Sequence, residues 1–248
     1  MSILICDNLK KYFPVRRGYL RKDFGTVKAV DGVSFEIASG ETFGLVGESA
    51  CGKTTLGKLI LGILKPDSGG VKLSTRRRQV IFQDPHSSLD PKMRVRDIIA
   101  EGLLLHGAVT RRPEIDKKVR DALGLVNLPV TSADKYPHQF SGGERQRIAI
   151  ARAVITGPEF IVCDEPVSSL DVTVQLQILR LLKKIQKDFK ITYLFISHDL
   201  RVVRYMCDRV AVMKDGRIIE EGPARSVYSN PSEPYTRLLL SSIPDYKI

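Results

Sequence analysis

One string constrains this chain more than any other. Gly47-Glu48-Ser49-Ala50-Cys51-Gly52-Lys53-Thr54 fits G-x-x-x-x-G-K-[ST], and it lies between the apolar run Thr42–Val46 and a stretch, residues 56–64, in which Leu and Ile recur at helical spacing. A strand, a glycine-rich turn and a helix in that order are the context in which a phosphate loop works. Backbone N–H groups converge on phosphate oxygens, Gly47 and Gly52 relax the backbone, Lys53 places a point charge on the β- and γ-phosphates, and Thr54 holds Mg²⁺. The bland alternative is an ordinary glycine-rich turn with a solvated lysine, and the flanking elements speak against it. The expected fold is α/β.

The rest of the chain reads consistently with that class. Residues 3–5 and 33–37 read as strands, and the turn Ala38-Ser39-Gly40 separates the latter from Thr42–Val46. Residues 14–26, with Arg16, Arg17, Arg21 and Lys22 among glycines, have no usable period and read as an exposed basic loop. Pro66-Asp67-Ser68-Gly69-Gly70 stops the helix after the phosphate loop. Residues 79–82 suggest another strand, Asp84-Pro85-His86-Ser87-Ser88 breaks regular structure, and residues 95–108 and 115–125 read as helices. Residues 160–163 and 191–196 are continuous apolar runs, the pattern of strands buried on both faces of a parallel sheet, with the helix Val172–Phe189 between them. Neither internal repeats nor sustained heptads are visible.

Composition excludes several classes. With 248 residues, 43% of them hydrophobic and 27% charged, the chain has apolar mass for a core and is neither disordered nor fibrous. Its formal charge of +11 suits an anionic partner: nucleic acid, an anionic lipid surface or a polyphosphate. Residues 1–6 meet Asp7 too soon for a secretory signal, and no run reaches the roughly 18–20 apolar residues of a membrane span, so the expectation is a soluble chain or one that docks on a membrane through partners. Cys6, Cys51, Cys163 and Cys207 form no C-x-x-C pair, so their spacing supports neither a zinc site nor a disulfide framework.

Four further places carry chemistry. Asp164-Glu165 ends the apolar run 160–163, at the strand tip where ligands sit in open α/β sheets. Asp164 suits Mg²⁺, through water, and Glu165 suits the general base that polarises an attacking water; the alternative is two carboxylates solvating a loop. Ser141-Gly142-Gly143-Glu144 precedes the helical run 145–154 and is locally a capping box, which explains Ser141 and Glu144 but not two glycines in the first turn. Close backbone approach to an anion at the positive helix end explains the glycines. His198 follows the strand 191–196 through Ser197, placed to donate a hydrogen bond to a γ-phosphate or to be an ordinary loop residue. Gln83 gains meaning only beside the others.

Taken in this order, the set resembles the nucleotide-binding subunit of ATP-binding cassette (ABC) transporters over nearly the whole chain. The resemblance implies that Gly47 through Thr54, with Thr55, is the Walker A loop and that Gln83 is the Q-loop glutamine, catalytic and in contact with Mg²⁺. It makes Ser141, Gly142, Gly143 and Glu144 the signature, Asp164 and Glu165 the end of Walker B, Asp171 the D-loop aspartate and His198 the switch histidine. Phe13, after Leu9-Lys10-Lys11-Tyr12, matches the aromatic that stacks on adenine, with Tyr12 as the other candidate. Arg145 to Ala153 extends the signature.

Narrower features look like the oligopeptide, dipeptide and nickel importer group: the basic stretch after Phe13, Phe82-Gln83-Asp84-Pro85 with Ser87-Ser88-Leu89, Tyr136-Pro137-His138-Gln139-Phe140, and Pro234-Tyr235-Thr236. Ala50 stands where the group usually has Gly, and Glu144 where it has Gln. The segment 70–76 is short for the group, and the C-terminal extension stops before any cysteine cluster.

The implied protein is an ATPase with ATP and Mg²⁺ as ligands and a P-loop core with a mainly parallel sheet, an N-terminal antiparallel part and an inserted helical subdomain. Residues 1–84 and 140–228 are expected to form the ATP-binding core, 85–139 the helical subdomain that docks on a permease, and 229–248 a short extension. Its expected partners are integral membrane permease subunits, a second nucleotide-binding subunit and, indirectly, an extracellular solute-binding protein, at the cytoplasmic face of the membrane. An ABC-type ATPase acting on nucleic acid would also suit the charge, but it usually carries coiled coils, zinc modules or two cassettes, so no nucleic acid is expected. A noncatalytic regulatory cassette would need neither Glu165 nor His198.

Overall fold

The chain opens on a long hairpin in the computed structural model, which describes residues 1–17, 22–105 and 111–243. Strands β1 (Ser2–Arg17) and β2 (Lys22–Ala38) pair antiparallel from Ser2 opposite Ala38 out to Arg17 opposite Lys22. The basic loop expected over 14–26 is corrected accordingly: Pro14 faces Thr26 and Arg16 faces Asp23, while 18–21 lie outside the described residues. The period fails there for a physical reason. Phe13 and Val27, opposite each other, are 38% and 52% exposed, and the next pair, Pro14 and Thr26, is exposed as well, so at these positions neither face is buried for a hydrophobic period to mark. Nearer the start of β1, alternation returns, and Leu4, Cys6, Val33, Phe35 and Ile37 are buried.

Strand β3 (Thr42–Val46) is buried at every position and feeds the loop before helix α1 (Lys53–Ile60). The turn expected over 66–70 becomes strand β4 (Ser68–Leu73) at its third residue, pairing with β1 to give the order β2-β1-β4. Its leading residues are exposed, so sequence offers no apolar signal for it.

Contacts divide the chain into two units: Met1–Arg76 with Thr192–Ile248, and Arg77–Ile191. In the second, β5 (Arg78–Ile81) is followed by α2 (Pro85–Ser88), α3 (Val95–Leu105), α4 (Arg112–Leu125) and α5 (Gly142–Val154), then β6 (Phe160–Asp164) and α6 (Val172–Phe189). β5 runs parallel to the fully buried β6, with Ile81 opposite Cys163. The expected break at 84–88 holds one helical turn begun by Pro85, whose fixed φ suits a first helical position. The helix expected over 95–108 is seen to Leu105, and 106–108 lie outside the described residues. α5 packs with α3, α4 and α6, burying Ile148, Ala149, Ile150, Ala151 and Ala153.

The chain returns to the first unit as β7 (Thr192–Ser197), α7 (Leu200–Met206), β8 (Arg209–Lys214), β9 (Arg217–Pro223), α8 (Ala224–Ser229) and α9 (Pro234–Ser241). β3 lies parallel between β7 and β8, and β9 joins β8 antiparallel, giving β7-β3-β8-β9. Phe35 of the hairpin stacks on Phe43 of β3, ring centroids 5.0 Å apart.

Asp31 ties the hairpin to the β8–β9 turn. Its N–H donates to the Gly216 carbonyl (2.8 Å), and its carboxylate accepts from the Tyr12 hydroxyl (2.5 Å) and from Arg217 Nη2 (2.6 Å). The hydrogen bond from Tyr12 and then that from Arg217 hold the Asp31 carboxyl below the usual carboxylate range, against the effect of burial. A lowered folded-state pKa stabilises the fold above the unfolded-state value and loses that contribution as pH falls through the folded one. Asp31→Asn should therefore lower Tm at neutral pH, and the gap to wild type should close on acidification below the carboxylate range. Thermal scans across that range check this, and a gap that stays constant or widens contradicts it.

Candidate functional site

The loop between β3 and α1 is held in a conformation few residues tolerate. Gly47, Ala50 and Gly52 have φ of 153°, 64° and 110°. A Cβ on Gly47 would lie 2.2 Å from the Met213 carbonyl oxygen, and one on Gly52 would lie 1.9 Å from that of Ala29, so packing and backbone angle both demand glycine. Ala50 adopts a left-handed angle without that freedom, at a cost of about 1 kcal/mol. Lys53 is buried, and its ammonium donates to the carbonyls of Gly47 (2.8 Å) and Glu48 (2.7 Å) and to Cys51 Sγ (3.6 Å). Burial raises the Cys51 thiol pKa, with the Lys53 charge opposing. Gly52 caps α1 with no side-chain hydrogen bond. The loop therefore offers an anion a positive charge and a helix N-terminus with no side-chain cap.

Other expected residues of this unit fall at the same sheet edge or on the hairpin. Val46 lies opposite Ser197, so Gly47 and the exposed His198 follow paired positions at the C-terminal ends of parallel strands. Asp199 caps α7 by accepting from the Arg201 N–H at 2.9 Å. The Phe13 ring is exposed, with Lys11 Nζ 5.7 Å from its centroid, whereas the Tyr12 hydroxyl is engaged by Asp31. Sequence gave no reason to weigh Gly216, yet its N–H donates to the Cys51 carbonyl (3.1 Å) and braces the loop.

In the second unit, Asp164 ends β6 nearly buried, and Glu165 follows with a φ of 48°. A left-handed non-glycine residue stores strain that its surroundings must hold, and Ser168 does so by donating its N–H (3.3 Å) and hydroxyl (3.2 Å) to the Glu165 carbonyl. The register of β5 on β6 places Gln83 beside it: each lies two residues beyond the pair Ile81–Cys163, and Gln83 Nε2 donates to Glu165 Oε2 at 3.2 Å. Asp171 caps α6, accepting from the Val174 N–H at 3.0 Å.

Ser141 and Glu144 form the expected capping box. Glu144 Oε2 accepts from the Ser141 N–H and hydroxyl, each at 2.8 Å, and the Glu144 N–H donates to Ser141 Oγ at 3.4 Å. The Ser141 amide and then its hydroxyl lower the Glu144 pKa. The sequence argument that a capping box leaves both glycines unexplained is corrected for Gly143: a Cβ there would meet Val174 Cγ1 at 2.5 Å, so close packing of α5 on α6 requires it. Gly142 has ordinary room, 3.5 Å from Leu170.

Comparison with known proteins shows the family and the fold. Residues 30–168 match the ABC transporter family. The oligopeptide transport ATP-binding proteins AppF and OppF of Bacillus subtilis (strain 168) are each 46% identical over 98% of the chain, covering 78% and 83% of their own lengths. Among solved structures, cbiO1 of Clostridium perfringens, part of the ABC transporter complex cbiONQ, superposes with a TM-score of 0.77 at 28% identity, over 98% of this chain and 96% of that one. The ATP-binding cassette MJ0796, solved as a dimer in a post-hydrolysis state with ADP and Pi, gives 0.77 at 26% identity, over 90% and 99%. The expected α/β cassette with an antiparallel N-terminal part is the fold observed.

The packing role of Gly143 is separable from any ligand role. Gly143→Ala should cost about 1–3 kcal/mol by overpacking, which at this chain length lowers Tm by several degrees. Adding Val174→Ala should return most of that loss. A single variant with wild-type Tm would show that α5 and α6 do not need the glycine.

Proposed function

Because the chain belongs to the ABC transporter family and is an ATPase, we propose that it is the ATP-hydrolysing subunit of an importer that takes up peptides. The relatives named for oligopeptide transport favour peptides over nickel, the other solute of the group. The observation that carries the reading is Lys53: a buried ammonium held by carbonyls of its own loop, at the start of a helix and the end of a buried strand.

In this reading the loop from Gly47 to Thr55 binds the phosphates through backbone N–H groups and Lys53, and Phe13 stacks on the adenine. The hydroxyl of Thr54, the carboxylate of Asp164 and the amide oxygen of Gln83 are hard oxygen donors that suit Mg²⁺, which when bound neutralises phosphate charge. Glu165 accepts a proton from the attacking water, oriented by the amide of Gln83, and His198 donates to the γ-phosphate. Ser141, Gly142 and Gly143 serve a second copy or a homologous subunit, capping the γ-phosphate bound there, with Glu144 and Asp171 beside it. ATP binding then closes the pair and hydrolysis reopens it. The helical segment 85–139 docks on a permease, through which a solute-binding protein acts indirectly. Among the described residues no helix is long and apolar enough to cross a membrane, so membrane attachment is peripheral in this scheme, at the cytoplasmic face.

Two substitutions test the assignment. Lys53→Ala should weaken binding of a fluorescent ATP analogue about 10- to 150-fold, the worth of a charge-assisted contact. Glu165→Gln should bind as wild type does but release phosphate about 10²–10⁴-fold more slowly, because the amide keeps the shape and loses the basicity. Unchanged affinity in the first would exclude this loop as the phosphate site. Wild-type turnover in the second would exclude Glu165 as the base.

A further inference from the structure

Tyr12, the aromatic beside Phe13, has no part in the scheme above, yet its side chain and its backbone are both held. The hydroxyl donates to Asp31 Oδ1 at 2.5 Å, and the other oxygen of that buried carboxylate accepts from Arg217 Nε (2.9 Å) and Nη2 (2.6 Å). On the backbone side, the Tyr12 N–H donates to Asp67 Oδ2 at 2.6 Å, and the Asp67 N–H donates to the Lys10 carbonyl at 2.8 Å. Asp67 Oδ1 also accepts from the Lys11 ammonium (2.7 Å), which lies 5.7 Å from the Phe13 ring centroid. Two aspartates from different segments thus converge on Tyr12. The Phe13 ring that follows is exposed and has little packing of its own to fix it.

The hairpin is irregular at the same point. Lys11 faces Val30 whereas Tyr12 faces Lys28, so Ala29 is an extra residue in β2, a β-bulge. Bulges bend a strand and re-aim its side chains, and this one is pressed against the phosphate loop and its brace. A Cβ on Gly52 would lie 1.9 Å from the Ala29 carbonyl oxygen, and one on Gly216 would lie 2.4 Å from that of Lys28. Asp31 follows two residues after Ala29. Its N–H donates to the Gly216 carbonyl (2.8 Å), and the Gly216 N–H donates to the Cys51 carbonyl (3.1 Å). An unbroken run of hydrogen bonds and backbone therefore leads from Tyr12 through Asp31 and Gly216 to the loop of Lys53.

We propose that Tyr12 is a positioning residue for the adenine subsite, its hydroxyl locking the bulged ribbon to Asp31 and so fixing where the Phe13 ring stands relative to the phosphate loop. A nucleotide bridges the two subsites, with its base on Phe13 and its phosphates at Lys53, and it binds best when their separation is set in advance. Engaged by Asp31, the hydroxyl acts through Phe13 rather than on the nucleotide. Without it Asp31 keeps Arg217 and Gly216, but the ribbon is free to flex at the bulge. Ordering Phe13 then falls on nucleotide binding.

This inference rests on the reading of the loop as the phosphate site and of Phe13 as the adenine platform, and a double-mutant cycle separates the three. Full-length wild type, Tyr12→Phe, Phe13→Ala and the double variant, with Lys53→Ala beside them, are titrated with an ATP analogue fluorescently labelled on the ribose, in Mg²⁺, and Tm is measured in parallel. Tyr12→Phe keeps an aromatic ring at position 12 and removes only the hydroxyl, so stacking by residue 12 itself would survive it. With Phe13 in place it should raise Kd about 3- to 10-fold, the worth of one hydrogen bond. In the Phe13→Ala chain, whose own loss should be about 5- to 150-fold for one stacked base, it should change Kd less than about twofold. A Tyr12→Phe chain that binds within twofold of wild type, or one that loses the same factor with and without Phe13, would overturn the inference; the second would mark a tyrosine that only stabilises the hairpin, whatever its Tm. If wild type binds and Lys53→Ala binds far more weakly, either result rejects the role of Tyr12 alone. Phe13→Ala binding as wild type does would remove the platform and the inference but leave the phosphate site standing. If wild type fails to bind, the functional reading falls and the inference falls with it.

Discussion

A buried ammonium must be hydrogen-bonded or its burial is prohibitively costly, and much of the first unit is arranged around that requirement at Lys53. Two carbonyls of the preceding loop face the side chain, which is possible only because the loop folds back through backbone angles that Gly47 and Gly52 supply. The neighbouring carbonyls of Met213 and Ala29 come so close that any side chain at those glycines would collide with them. Gly216 holds the Cys51 carbonyl, and Asp31 holds Gly216 in turn, so the β8–β9 turn and the N-terminal hairpin act as outer supports of one cradle. In the proposed reading a phosphate offers the lysine better partners than these carbonyls, and the strained loop becomes a binding site.

The second unit shows the same logic on a carboxylate. Glu165 stands in a left-handed conformation at a strand end, fixed through its own carbonyl by Ser168, and its side chain is met by Gln83 from the neighbouring strand. Strain held at a strand tip and a carboxylate met by an amide are what the proposed role of Glu165 as general base draws on. Ala50 carries comparable strain beside Lys53, where the importer group has glycine, and the loop tolerates it because its ends are so well braced.

Sequence made legible what depends on local chemistry or on full burial. Thr42–Val46 and Val172–Phe189 have the expected bounds, because one is a strand buried throughout and the other a strongly amphipathic helix. The capping box of Ser141 and Glu144 is legible for the same reason: its partners lie three residues apart. What escaped depends on distant partners. The hairpin is exposed on both faces at the pairs Phe13–Val27 and Pro14–Thr26, β4 starts exposed, and the reason for Gly143 is Val174 on another helix. Gln83 is weak as a single residue and gains meaning in sequence only beside the other motifs, since nothing local announces that β5 will place it on Glu165. The brace supplied by Gly216 belongs to the same class, being a contact made by a segment far away in the chain.

The central claim is that the site is completed by a second subunit, with Ser141 serving its neighbour's nucleotide as well as its own helix cap. Size-exclusion chromatography with light scattering, in ATP and Mg²⁺, tests it most directly on chains in which hydrolysis is blocked by Glu165→Gln. The predicted result is an ATP-dependent dimer that disappears when Ser141→Arg is added, since a bulky side chain at that helix start blocks the neighbour's γ-phosphate. With the Glu165→Gln dimer in hand as the control, a double variant that dimerises as well as the single one would contradict it.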